Sequence, residues 1–390
     1  MEGLPGSQAG SAVDAGSMSK FPGRLAVVQR VLPSYRLPFF EALAEACSGG
    51  LSLFAGQPGV DESIDVAGAP LQAHLTSARN LALGSVSQPF YLLWQAGLLR
   101  WLEDQNPDAL IVEANPRYLS TSQAVSWMHR RGRPVIGWGL GASPLRGPLA
   151  ALRQPGRLRF LRAFDAWIAY SQRGAEEYAA LGLPRKRIFV APNAAVDRPI
   201  ALPARPEEFT GRPAVLFVGR LQPRKRLDNL LRACAALPAA KQPRLLVVGD
   251  GPAREEFQSL AARVYPQAEF LGAIHGPGLE PFFAEADLFV LPGTGGLAVQ
   301  QAMAHGLPIV VAEGDGTQDD LVRPDNGWRV APGDLGALTG ALAEALADPS
   351  RLRRMGAESF HIVAEEANVQ TMAAVFIQAV RSAVGSERPA

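Results

Sequence analysis

Short apolar runs separated by helical patterns fill the first half of the chain. The runs, each of the length of a buried strand, occupy 25–31, 51–56, 109–113, 134–139, 166–171 and 188–191. Between them, 38–47 and 89–104 carry the apolar spacing of helices. Continuous apolar strands that alternate with helices predict a parallel sheet covered by helices on both faces.

The second half of the chain repeats this alternation. Its apolar runs occupy 214–220, 244–250, 268–272, 288–292, 308–313 and 328–331. The segment 225–237 places Leu227, Leu230, Leu231 and Cys234 at helical spacing. We therefore predict an α/β fold of two Rossmann-like, doubly wound parallel-sheet domains facing each other across a cleft. The predicted parts are a disordered leader (1–22), an N-terminal domain (23–196), a Pro-rich hinge (197–212), a C-terminal domain (213–365) and a C-terminal helix (366–390).

The composition agrees with this fold and excludes several others. Of 390 residues, 19% are charged and 47% are hydrophobic, which favours large buried sheets over a disordered or coiled-coil chain. No apolar run reaches the roughly 18 residues of a membrane-spanning helix, and no signal peptide opens the chain. The only cysteines, Cys47 and Cys234, offer neither a disulfide framework nor a zinc site. We expect a cytoplasmic protein.

The net charge of +1 hides an asymmetry between the two halves. Residues 1–200 carry 20 Lys and Arg against 15 Asp and Glu, whereas 201–390 carry 18 against 22. The region 117–162 contains no acidic residue and nine arginines: 117, 130, 131, 133, 146, 153, 157, 159 and 162. It is either a surface for anionic lipid, which would make the protein peripheral at the inner membrane face, or an Arg-rich face without a partner. Nucleic acid fits less well, since no recognition motif is present, and we expect none as a partner.

Two glycine-containing turns follow predicted strands of the second half. Gly219, Arg220 and Lys225 lie between a strand and a helix, and so do residues 293–297. Glycine lets a ligand approach the backbone, a helix N-terminus favours anions, and Arg and Lys can clamp phosphate oxygens. Either turn alone is equally well explained as a basic loop or a sharp bend, but both in one domain indicate a diphosphate ligand.

Linked motifs narrow the prediction. In order, they are Gly219-Arg220-Leu221-x-x-x-Lys225, Val248-Gly249-Asp250-Gly251-Pro252, Phe270-Leu271-Gly272, Ala286-Asp287-Leu288-Phe289-Val290-Leu291-Pro292 and Gly296-Leu297-x-x-x-x-Ala302-Met303-Ala304-x-Gly306-x-Pro308. Their order and spacing resemble those of retaining GT-B glycosyltransferases of the family-4 type. The resemblance covers about residues 24–386.

The resemblance implies a division of labour between the domains. The C-terminal domain would bind a nucleotide-diphosphate sugar, the N-terminal domain would bind the acceptor, and the last helix would return to the N-terminal domain. Arg220 and Lys225 would neutralise the diphosphate as it leaves. Members of the family transfer a hexose with retention, usually without a metal, and we expect no cofactor. The implied donor-binding residues are Gly219, Arg220, Lys225, Ile274, Thr294, Gly295, Gly296, Leu297 and Gln301.

The chain departs from the family pattern at three positions. The family's two glutamates would fall at Gly293 and Gln301, and its N-terminal histidine would fall near Leu140. Gln301 can still bind a hydroxyl, but Gly293 offers only backbone. Glu313, Thr294 or Glu113 would compensate for the missing side chains. For Glu113, a catalytic role and a pairing with Arg117 at the end of the strand have equal weight. An acidic loop with Asp315, Asp319 and Asp320 is more simply solvated charge than a metal site.

The predicted function is transfer of a sugar from a nucleotide-diphosphate sugar to an acceptor. The basic N-terminal half favours a lipid-linked saccharide or a polysaccharide precursor as that acceptor. Two alternatives stay open because of the missing glutamates and histidine. One is a non-catalytic binding or scaffold protein with this fold, and the other is a nucleotide-sugar epimerase or hydrolase.

Overall fold

Two sheets, one in each half of the chain, form the framework of the protein. The structure is a computed structural model and describes residues 20–59, 62, 64–66, 72–86, 88, 90–145, 147, 150–314 and 316–385. The strands are β1 (Leu25–Val31), β2 (Leu51–Gly56), β3 (His74–Leu83), β4 (Leu92–Ala96), β5 (Ala109–Glu113), β6 (Val135–Gly139), β7 (Ala166–Ala169), β8 (Ile188–Val190), β9 (Ala214–Val218), β10 (Arg244–Val248), β11 (Ala268–Gly272), β12 (Leu288–Leu291), β13 (Ile309–Ala312) and β14 (Gly327–Val330). The α-helices are α1 (Leu37–Glu45), α2 (Leu98–Gln105), α3 (Leu119–His129), α4 (Ala150–Leu161), α5 (Gln172–Ala180), α6 (Leu227–Ala236), α7 (Arg254–Val264), α8 (Glu280–Glu285), α9 (Ala298–Ala304), α10 (Thr317–Leu321), α11 (Leu335–Ala345), α12 (Pro349–Glu365) and α13 (Val369–Val384).

Both sheets have the doubly wound order that the alternation of apolar runs predicts. The N-terminal sheet runs β4-β3-β2-β1-β5-β6-β7-β8, and the C-terminal sheet runs β11-β10-β9-β12-β13-β14. In each sheet the first strand lies beside a strand reached by a long crossover, so the winding direction reverses between β1 and β5 and between β9 and β12. Ligands of open α/β sheets bind beyond the carboxyl ends of the strands at such a switch point. The predicted fold class is confirmed.

Twelve strands coincide with the predicted apolar runs, several to the residue, as at Leu25–Val31 and Ala268–Gly272. The predictions at 214–220 and 244–250 run two residues too long, because the chain has already turned out of the sheet there to form loops.

The predicted helix over 89–104 is wrong in its first half. Leu92–Ala96 is a strand that pairs antiparallel with His74–Leu83, and only 98–105 is helical. Within the strand, Leu93 is buried, whereas Leu92 and Trp94 on either side of it are exposed. This alternation has the two-residue period of a β-strand. The Leu and Trp residues of 89–104 also fit the spacing of one helix face, and only the pairing with the partner strand shows that the first part is a strand.

The predicted leader also extends too far. Phe21 is buried at 4% exposure, and its backbone N–H and C=O pair with Ala46 and Ser48. Ordered structure therefore begins before residue 23, since this aromatic ring fills the end of the N-terminal core. Residues 1–19 of the predicted leader lie outside the described residues.

The last helix lies against the N-terminal sheet. Phe376 of α13 stands 4.8 Å from the Phe39 ring and 4.9 Å from the Trp138 ring, measured between ring centroids. The core of this half therefore includes residues from both ends of the chain. In the described ranges, none of the helices is both long and apolar enough to cross a membrane.

Candidate active site between the two sheets

The two predicted glycine-containing turns meet at the switch point of the C-terminal sheet. β9 and β12 are hydrogen-bonded neighbours, so the loops that leave their carboxyl ends lie side by side. The Thr294 N–H donates to the Arg224 C=O at 3.1 Å and joins the two loops. Residues that are 70 positions apart in sequence thus form one surface at the edge where open sheets bind ligands.

Lys225 fixes the arrangement of these loops. Its side chain is buried, and its ammonium donates to the Thr294 carbonyl at 2.9 Å and to the Gly295 carbonyl. Burial, together with the nearby charge of Arg224, lowers the pKa of Lys225 to about 8. No carboxylate forms an ion pair with it among the described residues. A desolvated ammonium that only carbonyls satisfy is a strong candidate for binding an anion.

A cavity of about 570 Å³, here called the C-terminal cavity, opens beside these loops. Gly219, Arg220, Ile274 and Gln301 from the predicted donor set line it, together with the Val248–Gly251 turn. Arg220 is exposed at the mouth. Residues from four separate parts of the sequence converge here because three parallel strands end at the same edge.

A second cavity of about 310 Å³, here called the cleft cavity, lies between the two sheets. Gly295, Gly296 and Leu297 line the side of the cavity that belongs to the C-terminal domain, and helix α10 of the same domain contributes Gln318. Arg36, Leu140 and Tyr170 line its N-terminal side. The structure thus distributes the predicted donor set over two adjoining cavities. The exposed Thr294 and the buried Lys225 lie where the two glycine-containing loops meet.

Direct hydrogen bonds join the two domains beside the cleft cavity. Gln300 of α9 donates from its Nε2 to the Asn193 carbonyl at 2.9 Å and accepts the Ala195 N–H at 3.1 Å. The Gln172 N–H donates to the Asp320 carboxylate at 2.7 Å. These bonds set how closely the faces of the cleft approach each other.

The structure explains the glycine at position 293. A Cβ atom built there would lie 2.3 Å from the Arg224 carbonyl oxygen and 2.4 Å from the Lys225 carbonyl carbon. Contacts this short to backbone cannot be relieved by a rotamer change. The loop that carries Lys225 is therefore packed into the space that the side chain of a glutamate would need.

Glu113 ends β5 at the switch point of the N-terminal sheet. Its Oε2 accepts the Arg30 backbone N–H at 2.6 Å, and no ion pair among the described residues joins Glu113 to Arg117. Arg117 is exposed and lies on the loop that follows. Burial raises the pKa of Glu113, against the opposing effect of the nearby Arg36 and Arg30 charges. A buried carboxyl group with a raised pKa at a switch point is a candidate for proton transfer.

Arg36 is a site residue that the sequence patterns did not single out. It follows β1 across the switch point from Glu113, is 8% exposed and donates from Nη2 to the Tyr170 hydroxyl at 2.9 Å. The only signal in the sequence is a basic residue five positions after the first strand. Leu140, where the resemblance places a histidine, lines the same cavity.

The other candidate carboxylates that the structure describes have separate surroundings. Asp319 pairs with Arg329 at 3.6 Å, Asp320 accepts the Gln172 N–H, and Glu313 is exposed at the end of β13. Asp315 lies outside the described residues. Across the ranges that the structure describes, no group of three or more His, Cys, Asp or Glu side chains could hold a metal ion.

Comparison with protein families assigns both halves of the chain. Residues 212–348 match the family described as glycosyl transferases group 1, and residues 37–194 match the glycosyl transferase 4-like domain. Together the two matches span most of the chain. The chain belongs to the group 1 glycosyltransferases. This family agrees with the glycosyltransferase family that the linked motifs resemble.

Similar proteins of known activity include mannosyltransferases. The chain is 35% identical over 195 residues to a GDP-mannose-dependent alpha-mannosyltransferase of Mycobacterium tuberculosis, which is 48% of each chain. It is 25% identical over 300 residues to a lipopolysaccharide core biosynthesis glycosyltransferase of Rhizobium meliloti, 72% of this chain and 87% of the relative. The chain spans about half the length of the first of these relatives.

Solved structures show the same GT-B fold. The sucrose-phosphate synthase of Thermosynechococcus elongatus has a TM-score of 0.67 at 20% identity, over 92% of this chain and 98% of that chain. Anabaena HepE in complex with UDP has a TM-score of 0.67 at 16% identity, over 92% and 99%. At these identities the likeness concerns the fold alone.

Proposed function

We propose that this glycosyltransferase transfers a hexose, with retention, from a nucleotide-diphosphate sugar to a lipid-linked saccharide or polysaccharide precursor. The observation that carries the proposal is the buried Lys225 ammonium at the junction of the two glycine-containing loops. It lies at the C-terminal switch point and has only carbonyl partners. A diphosphate would give this cation the negative charge that the protein does not supply.

The donor would lie across the two adjoining cavities. The nucleoside occupies the C-terminal cavity, with Gln301 in reach of hydroxyls and Ile274 as an apolar contact, while Arg220 and Lys225 hold the diphosphate. The sugar extends past Gly295 and Gly296 into the cleft cavity. Because charge accumulates on the diphosphate as the glycosidic bond breaks, both cations bind the transition state more tightly than the ground state.

The acceptor would approach from the N-terminal sheet. For retention in one step, its hydroxyl forms a bond to the anomeric carbon on the same face from which the diphosphate departs, and the hydroxyl proton must be accepted. We assign that role to Glu113, since it ends β5 at the switch point of the N-terminal sheet and burial raises its pKa above the ordinary value, which makes its carboxylate a stronger base.

The edge hairpin supports a lipid-linked acceptor. β3 and β4 present a face of exposed apolar side chains, here called the apolar hairpin: Leu81, Leu83, Val86, Phe90, Leu92 and Trp94. Leu81 lies opposite Trp94 and Leu83 opposite Leu92, and Phe90 is 86% exposed. A contiguous exposed apolar patch marks a surface for a partner or for lipid.

The position of the apolar hairpin links it to the acceptor side. β3 is parallel to β2 and β1, so its turn lies at the carboxyl edge where Arg30 and Glu113 end their strands. A cavity of about 440 Å³, lined by Arg30, Glu62, Asn80 and Tyr91, adjoins the turn. A saccharide in this cavity would place an attached lipid on the apolar hairpin.

The Arg-rich region supports a role at an anionic membrane surface. In α4, only Leu161 is buried, Leu152 is 81% exposed, and Arg153 and Arg159 face solvent. Such a weakly packed helix of Leu and Arg residues is typical of an interfacial segment. Arg146 lies outside the described residues.

The donor test is calorimetric titration of the purified protein with GDP-mannose, UDP-glucose and ADP-glucose, followed by transfer assays with the donor that binds. We expect binding of one nucleotide class, and an α-linked product from an α-linked donor. A purely binding protein would bind the donor without turnover when lipid-linked acceptors are present. An epimerase or hydrolase would consume the donor without an acceptor.

The apolar hairpin yields a prediction for membrane binding. We expect Phe90→Ser combined with Leu83→Ser to weaken co-sedimentation with phosphatidylglycerol-containing vesicles about tenfold or more, because two large apolar side chains no longer enter the lipid. The matched control is Ile200→Ser, since Ile200 is fully exposed on the segment between the domains. Equal binding of the double variant and the control would refute a lipid role for the apolar hairpin.

A further inference from the structure

Arg36 carries a buried positive charge that forms no ion pair with a carboxylate among the described residues. The residue is 8% exposed, its Nη1 is buried without a hydrogen-bond partner, and none of the ion pairs in the described ranges includes it. Its side chain donates to the neutral hydroxyl of Tyr170 and also interacts with the neutral hydroxyl of Tyr35. A buried guanidinium of this kind is costly unless an anion completes its environment.

Aromatic rings hold Arg36 in place without cancelling its charge. The Cζ atom lies 4.4 Å from the Trp138 ring centroid, 5.6 Å from that of Tyr35 and 5.8 Å from that of Tyr170. The electron-rich faces of the rings attract the cation, but they carry no net charge. The planar guanidinium is therefore pre-positioned, and part of its hydrogen-bonding capacity is unused.

The nearest acid is already engaged. Glu113 accepts the backbone N–H of Arg30, and the Arg36 charge acts on it only through space.

Other polar atoms of the cleft cavity also lack partners. Asn193 Oδ1 and both side-chain amide atoms of Gln318 are buried without hydrogen bonds, and Gln318 is 2% exposed. Both residues line the cleft cavity together with Arg36. An amide that can donate and accept suits sugar hydroxyls, whereas the guanidinium suits an oxyanion.

We infer that the cleft cavity selects a sugar that carries an anionic group, a carboxylate, sulfonate or phosphate, and that Arg36 binds this group. The inference rests on the proposed function and specifies its substrate class. The charged sugar is either the one transferred from the donor or the one at the end of the acceptor. In both cases Gln318 and Asn193 bind hydroxyls, and Arg36 supplies the charge selectivity.

The test compares ligands that differ in one charge. The donor arm titrates UDP-glucuronate against UDP-glucose and GDP-mannuronate against GDP-mannose. The acceptor arm titrates methyl glucuronide against methyl glucoside, and glucose 6-phosphate against glucose, with and without nucleoside diphosphate. We expect the wild type to prefer the charged member at least tenfold in one arm, and that arm identifies which sugar carries the charge.

Variants of Arg36 decide whether it causes the preference. Arg36→Gln should reduce the preference, measured as the ratio of the two affinities, to within twofold of unity. Arg36→Met, which retains an unbranched side chain against Trp138, provides the same test if the glutamine variant is unstable. Arg100→Gln, which removes an exposed arginine of α2, is the control and should retain the full preference.

Two results would overturn the inference: no charge preference in either arm for the wild type, or a preference that survives both Arg36 substitutions. Nucleoside diphosphate binding is measured in every variant. Its absence in the wild type would contradict the proposed function, while the acceptor arm without nucleotide would still report on Arg36.

Discussion

Lys225→Ala should reduce kcat/KM for sugar transfer by about 100-fold to 1000-fold, the usual cost of removing one group that stabilises developing negative charge. The ammonium is the buried cation at the C-terminal switch point, and no other lysine is near the two loops. The measurement is initial-rate kinetics with the donor identified by calorimetry, together with donor titration of the variant. Arg220→Ala, at the exposed mouth, should have a smaller effect in the same direction.

The matched control is Lys241→Ala, which removes an exposed lysine of the same domain and should leave kinetics unchanged. Thermal unfolding of each variant separates loss of function from loss of fold. Intact donor binding in both Lys225→Ala and Arg220→Ala would remove the basis of the proposed function.

The same lysine should give the wild type a characteristic pH dependence. Because the pKa of Lys225 is lowered from 10.5 to about 8 in the folded chain, the free ammonium loses its proton as the pH rises through 8. Nucleoside diphosphate affinity should therefore fall above pH 8, by up to tenfold per pH unit, and binding there should take up a proton. The contribution of Lys225 to the free energy of unfolding should rise between about pH 8 and 10.5, since the unfolded chain binds the proton more tightly.

Calorimetry in buffers of different ionisation enthalpy measures the proton uptake directly. Lys225→Arg removes a group that titrates in this range, so its affinity profile should be flat above pH 8. An unchanged profile in Lys225→Arg would assign the pH dependence to another group.

Gly293→Ala should lower the free energy of unfolding by about 1–3 kcal/mol, the usual cost of forcing an added group into a packed site. The new Cβ would meet the backbone of Arg224 and Lys225 at 2.3–2.5 Å, so the lysine loop must move. Donor affinity should fall with it, because the position of Lys225 depends on that backbone. Chemical denaturation and donor titration measure the two effects.

Gly293→Glu, which introduces the glutamate of the family pattern, should lower activity rather than raise it. The control is Gly340→Ala in α11, where an added Cβ meets no atom within 4 Å. There the higher helix propensity of alanine should stabilise the protein by up to about 1 kcal/mol. Higher turnover in Gly293→Glu with unchanged stability would show that the loops rearrange freely and that the close packing is not restrictive.

The sequence by itself determined the two-sheet architecture and the C-terminal half of the candidate site. Strands buried on both faces are continuous apolar runs, so twelve of them can be identified locally. Glycines and cations that follow such strands lie at the carboxyl edge wherever the sheet is parallel, which is why Gly219, Lys225 and the 293–297 turn could be proposed together.

Other features depend on partners that are distant in sequence. The strand Leu92–Ala96 is specified by its antiparallel partner and not by its own composition, and helix spacing therefore predicted it wrongly. The packing of Gly293 against Arg224 depends on how two loops fit.

The tertiary structure alone decided the chemistry of the N-terminal face. Arg36 is an ordinary basic residue in the sequence; burial against Trp138 and Tyr170 makes it an uncompensated charge in the cleft cavity. Glu113 is a strand-end carboxylate whose raised pKa follows from its surroundings. Local periodicity reports which side of its own element a residue faces, whereas desolvation and charge balance are set by neighbours that only the folded chain brings together.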